Sequence, residues 1–200
     1  MQEMRKDSRT LRAVLLFPIM AGSVLLDQIS KMLIVKYMKI GESIALIPGV
    51  LNFTYITNDG AAMGLFSDCR WLFMIVAPLA VIGISVYVMT AKKIKPLYTV
   101  SLAMIAGGGI GNMIDRTFNG SFGKGVVVDF IDVCAFPKIW RYTFNVADIF
   151  VCVGAGLLML AVILEAVSEA KAAKKEKENQ NYTFVFDGTD ERTYTMIISA

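Results

Sequence analysis

The chain has 200 residues, 56% of them hydrophobic and 18% charged, with a net charge of +3. A soluble domain is about 45–50% apolar and about 25% charged, so an ordinary cytosolic protein is excluded; the modest charge says nothing by itself about nucleic acid, which is not among the expected partners. With no histidine and only Cys69, Cys134 and Cys152 as cysteines, Ser-His and Cys-His pairs, H-E-x-x-H zinc sites and a disulfide framework are excluded too, and any acid–base chemistry falls to carboxylates, lysines or tyrosines.

Apolar runs of about 20 residues suit a bilayer-spanning helix, and four occur. The first, residues 13–35, is interrupted by Asp27 and Lys31. A cleavable signal peptide is its rival reading, since Arg5, Lys6, Arg9 and Arg12 precede it. The run continues past Asp27 and three more spans follow, which favours a retained helix. Two strand-like segments come next, 43–47 and 50–55, punctuated by Pro48-Gly49. The second span, 71–91, carries no charge, and Lys92, Lys93 and Lys95 separate it from the third, 96–114, which stops at Asp115-Arg116. Residues 119–138 form a loop dotted with Gly120, Gly123 and Gly125, followed by the β-branched run 126–128. The fourth span, 144–164, holds one charge, Asp148.

Beyond it lies a charged, helix-like stretch at 168–179, then 182–186 and 193–198 flanking Asp187-Gly188, which suggests a small cytoplasmic β-hairpin. The expected organisation is a four-helix membrane domain over 1–166 and a charged cytoplasmic tail over 167–200. The fold class is membrane all-α, with a small β-cradle after the first helix and an outer loop before the fourth. Lysine and arginine concentrate before the first span, between the second and third, and after the fourth, which places both termini in the cytoplasm.

That topology puts every polar group within the spans at one outer level. Asp27 and Lys31 lie in the outer half of the first span, Asn112 and Asp115 at the outer end of the third, and Asn145 and Asp148 at the start of the fourth. Asp148 falls roughly 6 Å in, at about 1.5 Å per residue. Intramembrane ionisable groups are functional hypotheses by default, and one site at the outer interface accounts for all of them. Plainer readings exist. Asp27 and Lys31, four apart, can neutralise each other; Arg116 can snorkel to head groups; glycines 107, 108, 109 and 111 can serve helix packing; Asn112 and Asn145 can be interhelical glue. Asp148, alone in an apolar helix, is hardest to explain this way.

Two aspartates held close share one proton: the ionised member takes a proton from an attacking water while the protonated one polarises the carbonyl. This is peptide hydrolysis without a covalent intermediate. Asp115, Asp129, Asp132 and Asp148 offer several pairs, and spacing alone does not select one.

Five blocks in order carry a family resemblance: residues 27–31 (DQISK), 57–64 (TNDGAAMG), 107–116 (GGGIGNMIDR), 127–130 (VVDF) and 144–148 (FNVAD). Over roughly residues 10–166 the chain resembles the bacterial lipoprotein signal peptidases, or type II signal peptidases. The resemblance implies a multi-pass aspartyl endopeptidase of the bacterial inner membrane, with its active site facing the extracytoplasmic side. It would cut prolipoproteins just before the diacylglyceryl-modified cysteine, so its partners are the lipid-modified precursor and membrane lipid, with no cofactor and no metal. Carried over block by block, Asp129 and Asp148 are catalytic. Asp115, Asn112, Arg116 and Asn145 support the site, Asp27 and Lys31 stabilise it, and Asn58 lies near the substrate, with Gly60 also counted in the site. The strand-like segment resembles the family's extracytoplasmic cradle. Met63 stands where the family commonly has phenylalanine, and the tail beyond about Lys171 has no counterpart in the short members. Other classes are a small transporter, a structural or assembly protein, and a carboxylate-dependent metal hydrolase. A transporter relay would cross the bilayer, whereas the inner halves of these spans hold no ionisable residue.

Overall fold

A computed structural model describes residues 2–59, 70–119, 125–136 and 142–180. In chain order they form α1 (Gln2–Tyr37), β1 (Ser43–Ile47), β2 (Leu51–Asn58), α2 (Arg70–Thr90), α3 (Pro96–Phe118), β3 (Val127–Val133), β4 (Thr143–Phe144) and α4 (Val146–Gln180). The chain divides into two units, Met1–Leu158 and Met159–Ala200. Of the second, the described residues, up to Gln180, are helical. Gly60, Met63, Cys69 and the hairpin expected at 182–198 lie outside the described residues.

Among the described residues, Arg9–Tyr37, Pro96–Phe118 and Val146–Lys177 are long and apolar enough to cross a membrane, and Met74–Thr90 of α2 is a shorter apolar stretch. Residues such as Leu25, Met32, Leu79 and Ile82 are about 60% exposed, an apolar exterior suited to lipid rather than water. Pro96 occupies the first turn of α3, where its missing N–H is no loss. The helix α3 runs on past the end of the apolar run at Ile114 to Phe118. Asp115 is 2% exposed and finds its partners inside the protein, so its charge is no reason to end the helix.

The outer segments join in one four-stranded antiparallel sheet, ordered β1-β2-β3-β4. The expected loop before the fourth helix therefore supplies two strands, and Phe144, expected to open that helix, lies in β4. Val50 N–H donates to the Ile47 carbonyl across Pro48-Gly49, with Gly49 at φ 73°. Proline and then a positive-φ glycine at the two central positions make a type II turn. Tyr55, Val128 and Phe130 pack with Ile34 of α1 and Met38 just beyond it, and Phe53 meets Phe130 edge-on at 5.5 Å. A second cluster, Leu16, Met20, Val88, Ala103 and Ala106, joins α1, α2 and α3.

Two local features fix where polar groups fall. The β2–β3 register pairs Phe53 with Ile131 but Ile56 with Asp129, so one extra residue is accommodated in β2. Such a bulge flips the side-chain alternation beyond it, and it leaves Asn58, paired with Val127, as the diagonal same-face neighbour of Asp129. In α3, a Cβ at Gly107 would meet Ser23 Cβ at 2.7 Å, and one at Gly108 would strike the Ala147 carbonyl. These glycines let α1 and α4 approach α3 closely. Gly109 has nothing within 4 Å, so the packing reading does not extend to it.

Candidate active site

The polar groups of α1, α3, β3 and α4 meet in one hydrogen-bonded cluster. Lys31 is 3% exposed. Its ammonium lies 2.8 Å from Asp27 Oδ2 and 2.9 Å from Asp115 Oδ2, and donates to Asn112 Oδ1 at 3.0 Å. An ammonium has three donors and no acceptor, so all three are used. The spacing of four residues does pair Asp27 with Lys31, but that is one of three partners.

Asp27 is fully buried; its Oδ1 accepts the Ala147 N–H at 2.9 Å. Asp115 Oδ2 also accepts the Val128 N–H at 3.1 Å. Gln28, to which sequence reasoning gave no role, donates from Nε2 to Asp27, to the Gly111 carbonyl and to Asp115 Oδ1. Its position beside Asp27 and one turn before Lys31 was the available signal.

Asp129 and Asp148 take amide donors instead. Asp129 Oδ1 accepts Asn145 Nδ2 at 2.6 Å, and Oδ2 accepts Asn58 Nδ2 at 2.9 Å. Asp148 Oδ1 accepts Asn112 Nδ2 at 2.8 Å, and Oδ2 accepts the Asn145 N–H at 3.1 Å. Asn145 Oδ1 in turn accepts the Asp148 N–H at 3.0 Å. Asn145 immediately precedes α4 and Asp148 is its third residue, so the two form a reciprocal capping box. The helix start thus fixes the Asp148 rotamer. That signal is legible in Asn145-Val146-Ala147-Asp148, although it was not used.

Among the described residues the ion pairs of the cluster belong to Asp27 and Asp115. Burial pushes the Asp129 carboxyl up to about 6, the hydrogen bond from Asn58 opposing and the charge of Asp148 adding to the rise. Asp132, another candidate from spacing, is three residues from Asp129 and so on the other face of β3, where it accepts from Thr54 at 2.9 Å.

Asp129 and Asp148 line one cavity of about 580 Å³ together with Asn58, Asn112 and Arg116. Its remaining wall is largely apolar, including Met74, Ala77, Met113, Phe144, Ile149 and Val151. Arg116 also donates from Nη1 to the Asn112 carbonyl at 3.2 Å. Among the described residues Cys134 is half-buried, and Cys152 is exposed, in the cavity wall. Among the described residues no three Asp, Glu, Cys or His side chains are grouped as a cation would require. Of the expected site residues, all that are among the described residues thus fall in the cluster or the cavity; Gly60 lies outside the described residues.

The model of the family signal peptidase (SPase) II matches residues 19–164. The lipoprotein signal peptidase of Halalkalibacterium halodurans is 44% identical over 154 residues, 77% of this chain and 92% of that protein. That of Brevibacillus brevis is 42% identical over 147 residues, 74% of this chain and 93% of that one. A solved bacterial membrane enzyme, determined by the in meso method at 2.3 Å resolution, is similar with a TM-score of 0.66 at 32% identity. The match covers 74% of this chain and 87% of that one.

Proposed function

The chain belongs to the signal peptidase II family, and from that premise we propose that it is an aspartyl endopeptidase whose catalytic pair is Asp129 and Asp148. Family membership supports removal of signal peptides from prolipoproteins. The finer reading is cleavage just before the diacylglyceryl-modified cysteine, at the extracytoplasmic face of the bacterial inner membrane, by a domain of four spans with both termini cytoplasmic. Lysine and arginine placement supports that orientation.

One observation carries the assignment. Of the four buried or cavity-lining carboxylates, Asp27 and Asp115 are bound by Lys31, whereas Asp129 and Asp148 are held by amide donors and line a common cavity. A carboxyl poised near pH 6 suits proton exchange at neutral pH. In the reaction, water oxygen bonds to the scissile carbonyl carbon as one carboxylate takes the water proton. The protonated partner gives its proton to the carbonyl oxygen. As the resulting gem-diol collapses, the C–N bond breaks, one diol hydroxyl returns its proton to the ionised carboxylate as the carbonyl re-forms, and the leaving amine takes the proton of the other carboxyl, so the pair again holds one shared proton. The Asn58, Asn112 and Asn145 amides hold the carboxylates without neutralising them. The apolar wall of the cavity would face the lipid-bearing side of the substrate.

Asp129→Asn and Asp148→Asn are each expected to abolish cleavage of a diacylglyceryl-modified prolipoprotein by purified enzyme while the variants still insert and purify. Near-native turnover by either refutes the pair. A substrate lacking the diacylglyceryl group is expected to be cut poorly, and equal cleavage with and without it would overturn the lipid requirement.

A further inference from the structure

The geometry points to Lys31 as a positioning residue that sets the polarity of the amide chain, so that both proposed catalytic carboxylates are met by N–H donors and not by carbonyl oxygens. An asparagine side chain presents an acceptor on one side and donors on the other, and a half-turn exchanges them. Nothing in Asn112 itself decides which end faces Asp148. Lys31 decides it. An ammonium has no acceptor capacity, so the atom 3.0 Å from Nζ is Oδ1. The Asn112 NH₂ must then face Asp148 Oδ1, 2.8 Å away.

The same Oδ1 accepts Asn145 Nδ2 at 3.0 Å, which orients the next amide in the chain. Asn145 Nδ2 also donates to Asp129 Oδ1 at 2.6 Å, while Asn145 Oδ1 accepts the Asp148 N–H. The buried cation orients Asn112 and, together with the Asp148 N–H, holds Asn145 in the same direction, so the chain ends on both carboxylates. Lys31 is itself fixed by Asp27 and Asp115, at 2.8 and 2.9 Å. It touches neither Asp129 nor Asp148 in these hydrogen bonds; beside the direct effect of its charge on Asp129, it acts through the amides.

The functional consequence rests on the two-aspartate reading. Amide donors favour the ionised form of a carboxylate, and a carbonyl oxygen in their place opposes it. If the amides could turn, the pair would hold its proton more tightly and the water-activating base would appear only at higher pH. The ionisable groups around the chain are Asp27 and Lys31 from α1, Asp115 and Arg116 from α3, Asp129 from β3, and Asp148 from α4, with Tyr142 in the cavity wall.

Two variants test this. Lys31→Met removes the orienting cation. Asn112→Leu removes the amide link at similar volume, leaves Asp148 Oδ1 without that donor and adds no charge beside it. Each is expected to lower kcat roughly 10²-fold, as for loss of a positioned donor, with KM little changed. Each should also move the acidic limb of the pH–kcat profile upward by about one unit. The double variant should shift that limb no further than either single one, because both break the same chain. A role confined to holding the fold would lower the unfolding midpoint and the yield of active enzyme but leave the limb in place.

Should Lys31→Met not fold, Asn112→Leu decides alone. A wild-type acidic limb in folded Asn112→Leu, or additive shifts in the double variant, overturns the inference. The two-aspartate reading fails separately, if Asp129→Asn or Asp148→Asn remains active.

Discussion

One methyl group added at Gly111 and one at Gly109 make the same chemical change two residues apart in α3, with opposite expected results. At Gly111 an ideal Cβ lies 2.5 Å from Asp27 Oδ2 and 3.3 Å from Ala147 Cβ. Asp27 cannot swing aside, because Oδ1 holds the Ala147 N–H and Oδ2 holds Lys31. The overlap is relieved only by moving α1 or α4 away from α3, an overpacking cost of about 1–3 kcal/mol. At Gly109 nothing lies within 4 Å, and replacing a helical glycine by alanine gains up to about 1 kcal/mol. Purified Gly111→Ala is therefore expected to unfold below wild type and Gly109→Ala at or above it. At about 2–4 °C per kcal/mol for a chain of this size, their midpoints should differ by several degrees. Gly111→Ala should also slow turnover, since Asp27 braces the α4 start that carries Asp148. Equal midpoints for the two variants would refute the claim that α1 and α4 seat on α3 through Gly111.

Burial raises Asp129 from 3.8 to about 6. The folded state thus binds this proton more tightly than the unfolded chain, and the contribution is fully present below about pH 4 and lost as pH rises through about 6. The stability of Asp129→Asn relative to wild type should improve between pH 4 and pH 7, whatever its constant offset, and a flat difference in unfolding midpoint would contradict it. Arg12, 7% exposed, donates to the carbonyls of Val88, Ala91 and Lys92 around the end of α2. Arg12→Met should cost about 1.5–3 kcal/mol, measured by chemical unfolding. Arg12→Lys should recover only part, because a single ammonium replaces a planar fork.

The long elements were legible because burial in lipid demands long apolar runs, and β1 because Pro48-Gly49 marks its turn. Elsewhere non-local partners decided. Asp115-Arg116 ends an apolar run in one dimension, yet Lys31 and the Val128 N–H, both distant in sequence, hold Asp115 inside. The residues 127–133 form strand because β2 pairs with them, and the bulge that puts Asn58 and Asp129 on one face belongs to β2, where no glycine or proline announces it. At the site, residue types and spacing identified a polar layer but left Asp115, Asp129, Asp132 and Asp148 equivalent. What separates them is three-dimensional contact: Lys31 takes Asp115, Asp132 faces Thr54 on the other side of β3, and Asp129 and Asp148 line the cavity. Gly125 was visible only as one glycine among several. Its Cβ would meet the Asp115 and Arg116 carbonyls at 2.5 and 2.6 Å, so it allows the chain entering β3 to cross the end of α3.

The Asp27–Lys31–Asp115 cluster buries two carboxylates against one ammonium, all at most 3% exposed. Buried ion pairs rarely exceed well-packed apolar side chains in stability, so energy alone does not account for its design. Its anchors do. Asp115 holds the N–H of Val128, the residue before Asp129, and Asp27 holds the N–H of Ala147, the residue before Asp148. Each structural carboxylate therefore fixes the backbone one residue from a proposed catalytic carboxylate, and Lys31 ties the two anchors together. A variant replacing the whole cluster by apolar groups, Asp27→Leu with Lys31→Met and Asp115→Leu, separates stability from position. It leaves no unpaired charge, so its unfolding midpoint should fall far less than that of Lys31→Met alone, while prolipoprotein cleavage drops at least roughly 10²-fold from misplacement of the pair. Near-native cleavage by that triple variant would refute the positional role.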